Sequence, residues 1–296
     1  MSSHPSQISA AATTDRLPVT LPRLAEMKRL GEPIVMVTAY DFPSARAAEA
    51  AGVDMVLVGD SGAMTVLGYP STVPVETDEL LVLAKAVRRG LRTPFLVGDL
   101  PFGSYEVSDE QAVSTALRFV KEAGCDAVKL EGGGRASTAR ARAIVAAGIP
   151  LMGHVGLTPQ TATALGGYRA QGRTAVAAAR VASEALALQE AGCFALVFEA
   201  IPSQVAQELM TRIEIPVIGI GAGPATDGQV LVFHDLLGIR DGLGARFVKR
   251  YADIQDEMVA GVSAYAADVR SNRYPEPQHG YAIDAGEFAA FVEHLT

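Results

Sequence analysis

Three stretches of this chain repeat one pattern, and the repeat limits the folds open to it. Residues 49–60 read EAAGVDMVLVGD, residues 121–132 read KEAGCDAVKLEG and residues 189–200 read QEAGCFALVFEA. Each is the end of an alanine-rich helix, a glycine stop and a short apolar strand. Glycine is the usual stop because, lacking Cβ, it takes the left-handed cap conformation at no steric cost. Weaker copies fill the gaps at 88–101 (RRGLRTPFLVGDLP), 145–157 (VAAGIPLMGHVGL) and 215–221 (IPVIGIG), the last without its glycine stop. A first strand is expected at 34–38 and an eighth, the weakest in signal, at 229–233.

Strand starts at 34, 55, 95, 127, 151, 195 and 217 span 217 − 34 = 183 residues in six intervals. That is roughly one unit per 30 residues, the spacing of βαβ units. The strands are apolar on both faces, as buried parallel strands must be. Helices are expected between them at 43–51, 75–89, 109–123, 135–147, 174–191 and 202–211, with a further one at 253–270. Seven or eight such units point to an α/β fold, a (β/α)8 TIM barrel; an open doubly wound sheet is the competitor, and the unit count favours closure. The expected organisation is a disordered extension over 1–20, rich in Ser, Thr, Ala and Pro, one catalytic barrel over 21–275, and a tail over 276–296 that wraps the surface or a neighbouring subunit.

Charge and composition narrow the partners. Asp and Glu number 33 against 25 Lys and Arg, a formal net charge of −8, and no Lys/Arg-rich run occurs. Nucleic acid is therefore not expected as a partner, since a phosphate backbone calls for clustered cations. No uninterrupted apolar stretch reaches about 18 residues, so no membrane span is expected. The first residues lack the apolar segment of a secretory signal. Two cysteines, Cys125 and Cys193, make no disulfide framework and fit a reducing compartment, read as cytoplasmic; both are expected to be small packing residues.

In a parallel α/β barrel the chemistry lies at the carboxyl ends of the strands. The residues there are Asp60, Asp99, Glu131, His154 and Glu199. Four acids meeting in one mouth repel each other unless a cation or shared protons are present. Three oxygen ligands from separate strands suit a hard divalent ion, Mg2+ first among them. Glu199 stands apart, set between Leu196-Val197-Phe198 and Ala200-Ile201-Pro202. Such an apolar setting raises a carboxyl pKa and suits a general base, the alternative being a structural acid before the next helix. Lys129 lies two residues before Glu131 and so shares its side of the strand. It binds an anionic substrate or forms a Schiff base, and the first is preferred where a metal serves as electron sink. His154 hydrogen-bonds substrate or is a satisfied core histidine, and His234 is read as structural. The segment 219–223 (GIGAG) could cradle an anion, and 166–173 (GGYRAQGR) reads as a lid or second-substrate contact, against a plain surface loop.

At these residues the chain closely resembles the ketopantoate hydroxymethyltransferase family, within the phosphoenolpyruvate mutase/isocitrate lyase-like barrels. The matching segments are VTAYDFPSA (37–45), VLVGDS (56–61), STVPV (71–75), VGDLPF (97–102), VKLEGG (128–133), GHVGLTPQ (153–160), GGYRAQGR (166–173) and PVIGIGAGPATDGQVLVFHD (216–235). Together they cover about residues 21–275. The resemblance implies that Asp60, Asp99 and Glu131 hold Mg2+, one per subunit. It implies that Ser61 and Lys129 contact a 2-oxo acid and that Glu199 is the proton acceptor; Asp60, Asp99 and His154 are expected beside the substrate as well. The implied reaction transfers a hydroxymethyl group from 5,10-methylenetetrahydrofolate to 3-methyl-2-oxobutanoate through a Mg2+-stabilised enolate. It gives 2-dehydropantoate, in pantothenate biosynthesis, and the implied assembly is a homodecamer. After GDS this chain carries Gly62-Ala63, where family members often have a bulkier residue and then Gly. The rival readings are a Mg2+-dependent C–C lyase or phosphomutase acting on a 2-oxo acid, and a barrel kept as a non-catalytic sensor or scaffold.

Overall fold

The computed structural model describes residues 16–240 and 244–295. Helix α1 (Leu21–Leu30) precedes the first strand, and then strands and helices alternate: β1 (Ile34–Thr38), α2 (Phe42–Ala51), β2 (Met55–Val58), a short α3 (Gly62–Thr65), α4 (Thr77–Gly90), β3 (Phe95–Asp99), α5 (Asp109–Ala123), β4 (Ala127–Lys129) and α6 (Arg135–Ala146). They continue through β5 (Leu151–Gly156), α7 (Ala175–Glu190), β6 (Ala195–Glu199), α8 (Ser203–Met210), β7 (Val217–Ile220), β8 (Gly228–Leu231), α9 (Phe233–Leu237), α10 (Ile254–Arg270) and α11 (Ala285–His294). The eight strands form a closed barrel in chain order, and β8 pairs back in parallel onto β1 with Ile34 opposite Gly228 and Met36 opposite Val230. The expected (β/α)8 architecture is the observed one.

One unit shows why the repeat folds this way. In α5, Ser108 caps the N-terminus by accepting from the Gln111 N–H, Asp109 and Glu110 sit in the first turn, and Gly124 ends the helix at φ 68°. Its buried stripe, Ala112, Thr115, Ala116, Phe119 and Ala123, follows helical spacing and faces the barrel. Gly98 of β3 lets that helix approach: a Cβ there would lie 2.5 Å from Phe119 Cδ1 and 3.0 Å from Cys125 Sγ. Cys125 and Cys193 are both free and buried, and burial pushes both thiols up to about 12. Thiols so hard to ionise serve as small packing groups.

Two layers of core follow from strand alternation. One side chain set, Val37, Val56, Leu96, Val128 and Phe198 among it, packs between barrel and helices. The other, including Met36, Met55, Phe95, Val97, Ala127, Met152, Ala195 and Ile218, fills the barrel interior, and α1 plugs its N-terminal end with Leu24 and Met27.

Some sequence expectations shift. The eighth strand ends at Leu231 rather than 233, because Val232 already turns into α9. Helix α1 was not expected; Thr20 caps it, accepting from the Arg23 N–H. Of the extension placed at 1–20, residues 1–15 lie outside the described residues. Residues 16–20 pack on the barrel: Arg16 pairs with Asp54 at 2.5 Å, and the Val19 N–H donates to Thr93 O at 2.8 Å. Between β7 and β8 runs only a loop, and the outer face of β1 is exposed at its start, with Val35 51% exposed, while Val37 further along is buried. Helices α10 and α11 bury no residue. No helix among the described residues is long and apolar enough to cross a membrane.

Candidate active site

Inward-facing positions two residues beyond the apolar interior carry the charged groups. On β3 the series Phe95, Val97, Asp99 runs from core to site; beside it Ala127, Lys129, Glu131 does the same, then Met152, His154, and Ala195, Val197, Glu199. Asp60 joins from the turn after β2, where its N–H donates to Asp99 Oδ2 at 3.1 Å. Together with Ser61 these residues line one cavity of about 590 Å3 at the carboxyl ends of the strands. The seven residues singled out from the sequence thus share a single mouth. All but Ser61 and Glu199 are buried.

The groups are tightly interlocked. The Lys129 ammonium lies 2.7 Å from Asp99 Oδ1 and 3.7 Å from Glu131 Oε1, so two of the carboxylates share it as a neighbour. Lys129 and Glu131 face the same side, as their spacing requires. His154 bridges the remaining acids: Nδ1 is 3.3 Å from Glu131 Oε1 and Nε2 is 3.2 Å from Glu199 Oε2. Glu199 therefore has an imidazole beside it as well as apolar neighbours. Ser61 Oγ is held by the Tyr40 hydroxyl at 2.8 Å. Gly62 makes room for that tyrosine, since a Cβ there would lie 2.8 Å from Tyr40 Cδ1; the small residue after GDS fits the ring packed on it.

Gln160 was missed by sequence reasoning, although it ends the GHVGLTPQ segment. Its side-chain amide donates to Asp60 Oδ2 at 3.0 Å and to the Leu100 carbonyl at 2.9 Å. Its backbone N–H donates to Glu131 Oε2 at 3.0 Å, and its Oε1 accepts from the Tyr105 hydroxyl at 2.6 Å. One residue from the turn after β5 thereby fixes two carboxylates across the barrel. Tyr105 and Tyr168 were missed as well; Tyr168, from the 166–173 segment, lines the cavity.

Burial and the charges of Asp99 and Glu131 push the Asp60 carboxyl well above the usual range. Asp99 is also raised by burial, against the pull of Lys129. Glu131 is lowered: burial opposes its charge, but His154, Lys129 and the Gln160 N–H together outweigh it. Burial and Lys129 pull His154 down, yet its bonds to Glu131 and Glu199 lift it to about 9. Lys129 rises above its ordinary value because Asp99, Glu131 and Asp60 overcome the cost of burying it.

Among the described residues no three His, Cys, Asp or Glu side chains stand in ready-made metal-binding geometry. The donor chemistry nevertheless fits a divalent cation. Four carboxylates, Asp60, Asp99, Glu131 and Glu199, face two cations, Lys129 and His154, which leaves an excess of two negative charges when all are ionised. Asp99 Oδ1 is buried, with the Lys129 ammonium as its neighbour, and that one ammonium also faces Glu131. The net excess of buried negative charge calls for a further cation. The glycines of 219–223 are closely packed on their Cα side. A Cβ at Gly219 would meet Thr226 Oγ1 at 2.6 Å, at Gly221 Phe247 at 2.6 Å and at Gly223 Ser203 at 2.4 Å, so they serve close packing. His234 lies on α9 beside the Tyr40 ring, 5.4 Å between centroids, away from the carboxylates.

The family model described as ketopantoate hydroxymethyltransferase matches residues 18–277. The chain belongs to this family. It is 52% identical over 263 residues to the 3-methyl-2-oxobutanoate hydroxymethyltransferase of Moorella thermoacetica, covering 89% of this chain and 97% of that one. It is 49% identical over 283 residues to the mitochondrial 3-methyl-2-oxobutanoate hydroxymethyltransferase 1 of Arabidopsis thaliana, covering 94% and 82%. Among solved structures it resembles phosphonopyruvate hydrolase in complex with oxalate and Mg2+ (TM-score 0.58, 12% identity, 93% and 96% covered). It also resembles 2,3-dimethylmalate lyase, a member of the PEP mutase/isocitrate lyase superfamily (TM-score 0.56, 15% identity, 88% and 92% covered). A ketopantoate hydroxymethyltransferase is an enzyme, a one-carbon transferase.

Proposed function

We propose that the chain transfers a hydroxymethyl group from 5,10-methylenetetrahydrofolate to C3 of 3-methyl-2-oxobutanoate, giving 2-dehydropantoate. The observation that carries this reading is the cluster of four carboxylates, one buried lysine and one histidine in a single 590 Å3 cavity. Asp60, Asp99 and Glu131 would hold Mg2+. When bound, the ion supplies Lewis acidity at the keto oxygen and the charge compensation this cluster lacks. Lys129 and Ser61 bind and orient the carboxylate end of the 2-oxo acid, and orientation by itself can contribute several kcal/mol. Glu199 accepts the C3 proton on its carboxylate, while His154, fixed by Glu131, positions it. Once deprotonated, C3 attacks the methylene carbon of the folate. Water then displaces the folate nitrogen from that carbon, which completes the hydroxymethyl group and releases tetrahydrofolate.

The lyase alternative gains nothing from the cysteines: Cys125 and Cys193 are buried outside the cavity and reach no substrate there. Apolar side chains in the open on α10 (Met258, Val259, Val262) and α11 (Phe288, Phe291) support a homo-oligomer, the decamer implied by resemblance. The two free thiols support a reducing, cytoplasmic setting. The test is an assay with 3-methyl-2-oxobutanoate and methylenetetrahydrofolate, with and without EDTA. Product formed only in the presence of the metal is expected; full activity in EDTA removes the metal from the reading.

A further inference from the structure

The cavity that holds the six ionisable residues does not end at them. Past Glu199 and Tyr168, which line both, a second cavity of about 790 Å3 opens between the 166–173 segment, the exit of β6 and residues 245–247. Its wall is cationic. Arg169, Arg173 and Arg246 line it, and Glu199, at its inner end, is its one carboxylate. Among the described residues none of these three arginines pairs with an acid, whereas nearby Arg180 and Arg240 are tied to Glu184 and Asp235. The segment carrying Arg169 and Arg173 is anchored: the Gln171 N–H donates to Ala200 O at 2.9 Å, directly after the catalytic Glu199. Positive φ at Gly166, Gly167 and Gly172 shapes the turns that bring it there.

Three guanidiniums in one groove, none paired with an acid among the described residues, favour planar, multiply charged carboxylate groups, which a guanidinium grips with two parallel hydrogen bonds. The proposed co-substrate has this shape. Its reacting carbon bridges two nitrogens at the reduced pterin and must reach C3 beside Glu199, while its far end is a glutamate, or a chain of glutamates, that must leave the cavity. The other arginine in the first cavity, Arg240, is already paired. We propose that the groove lined by Arg169, Arg173 and Arg246 binds the glutamyl tail of the folate, with its ring system running back past Tyr168 to Glu199. The proposal rests on the folate reading given above.

The test is steady-state kinetics with the mono- and triglutamate forms of 5,10-methylenetetrahydrofolate, on wild type and on Arg169→Gln/Arg173→Gln/Arg246→Gln. The triple variant is expected to raise KM for the triglutamate by about 10- to 100-fold, the loss expected for charge-assisted hydrogen bonds. Its C3 deuterium exchange, which needs the 2-oxo acid alone, is expected to stay at the wild-type rate. The corresponding triple lysine variant is expected to recover part of the affinity, since it keeps the charge without the fork. If the triple glutamine variant does not fold, Arg173→Gln alone carries the same test. A wild type that transfers carbon while its variant keeps the wild-type KM overturns the groove alone. A wild type that exchanges C3 deuterium but accepts carbon from neither folate overturns the co-substrate reading and this proposal together.

Discussion

The two ends of the barrel interior are built on the same strands and behave oppositely. At the N-terminal end Met55, Phe95, Ala127 and Met152 fill the tube with nothing polar. Further along, the same inward rows carry Asp99, two residues past Val97, Lys129, two past Ala127, and His154, two past Met152. Strand periodicity keeps both sets facing inward, so the switch from core to chemistry costs no change of fold. The lower layers hold the barrel together, and the upper layer is a cost the rest of the molecule offsets. A carboxyl such as Asp60, disfavoured by burial and by Asp99 and Glu131, destabilises the metal-free protein.

The contrast breaks most sharply at Asp60. In Asp60→Asn, turnover is expected to fall by about a thousandfold or more, the scale of a lost charge-stabilising group. Its thermal midpoint in EDTA is expected to equal or exceed that of wild type. A large loss of stability would place Asp60 among the structural residues. Next comes Glu199→Gln, for which C3 deuterium exchange should slow by about a thousandfold with substrate affinity retained; exchange at the wild-type rate removes Glu199 as the base. From the lower end, Met55→Ala should cost about 2–5 kcal/mol in urea unfolding while folded molecules keep their kcat. Smallest is Ala200→Gly. Ala200 holds φ 48°, with its N–H on Ile220 O and its carbonyl on the Gln171 N–H. A non-glycine residue there is strained, so glycine should raise stability by about 0.5–1 kcal/mol, measured by the same unfolding. A loss instead would mean that the hydrogen bonds at both ends, and not φ, dominate.

Much of this was legible because it is local or periodic. The glycine stops, the apolar strands and the acids at their ends sit within a dozen residues of each other, and alternation carries Asp99, Lys129 and Glu199 into one mouth once the sheet closes. What escaped reading depends on contacts across the barrel. Gln160 and Tyr105 come from turns after different strands and meet only in three dimensions, with no period to mark them. The glycine-rich segment after β7 reads equally as anion cradle or as close packing, and the side chains of Thr226, Phe247 and Ser203 that pack against it come from elsewhere in the chain or from beyond the segment. The boundary at residue 20 failed because Arg16 and Val19 are held by partners at Asp54 and Thr93, far along the chain.

Calorimetric titration of 3-methyl-2-oxobutanoate into the wild-type protein, with Mg2+ and then with EDTA, addresses the carboxylate cluster itself. Binding should require the ion, persist in Glu199→Gln and vanish in Asp60→Asn. Equal affinity with and without Mg2+ would show that the four acids meet in this mouth for some purpose other than gripping a 2-oxo acid through a divalent cation.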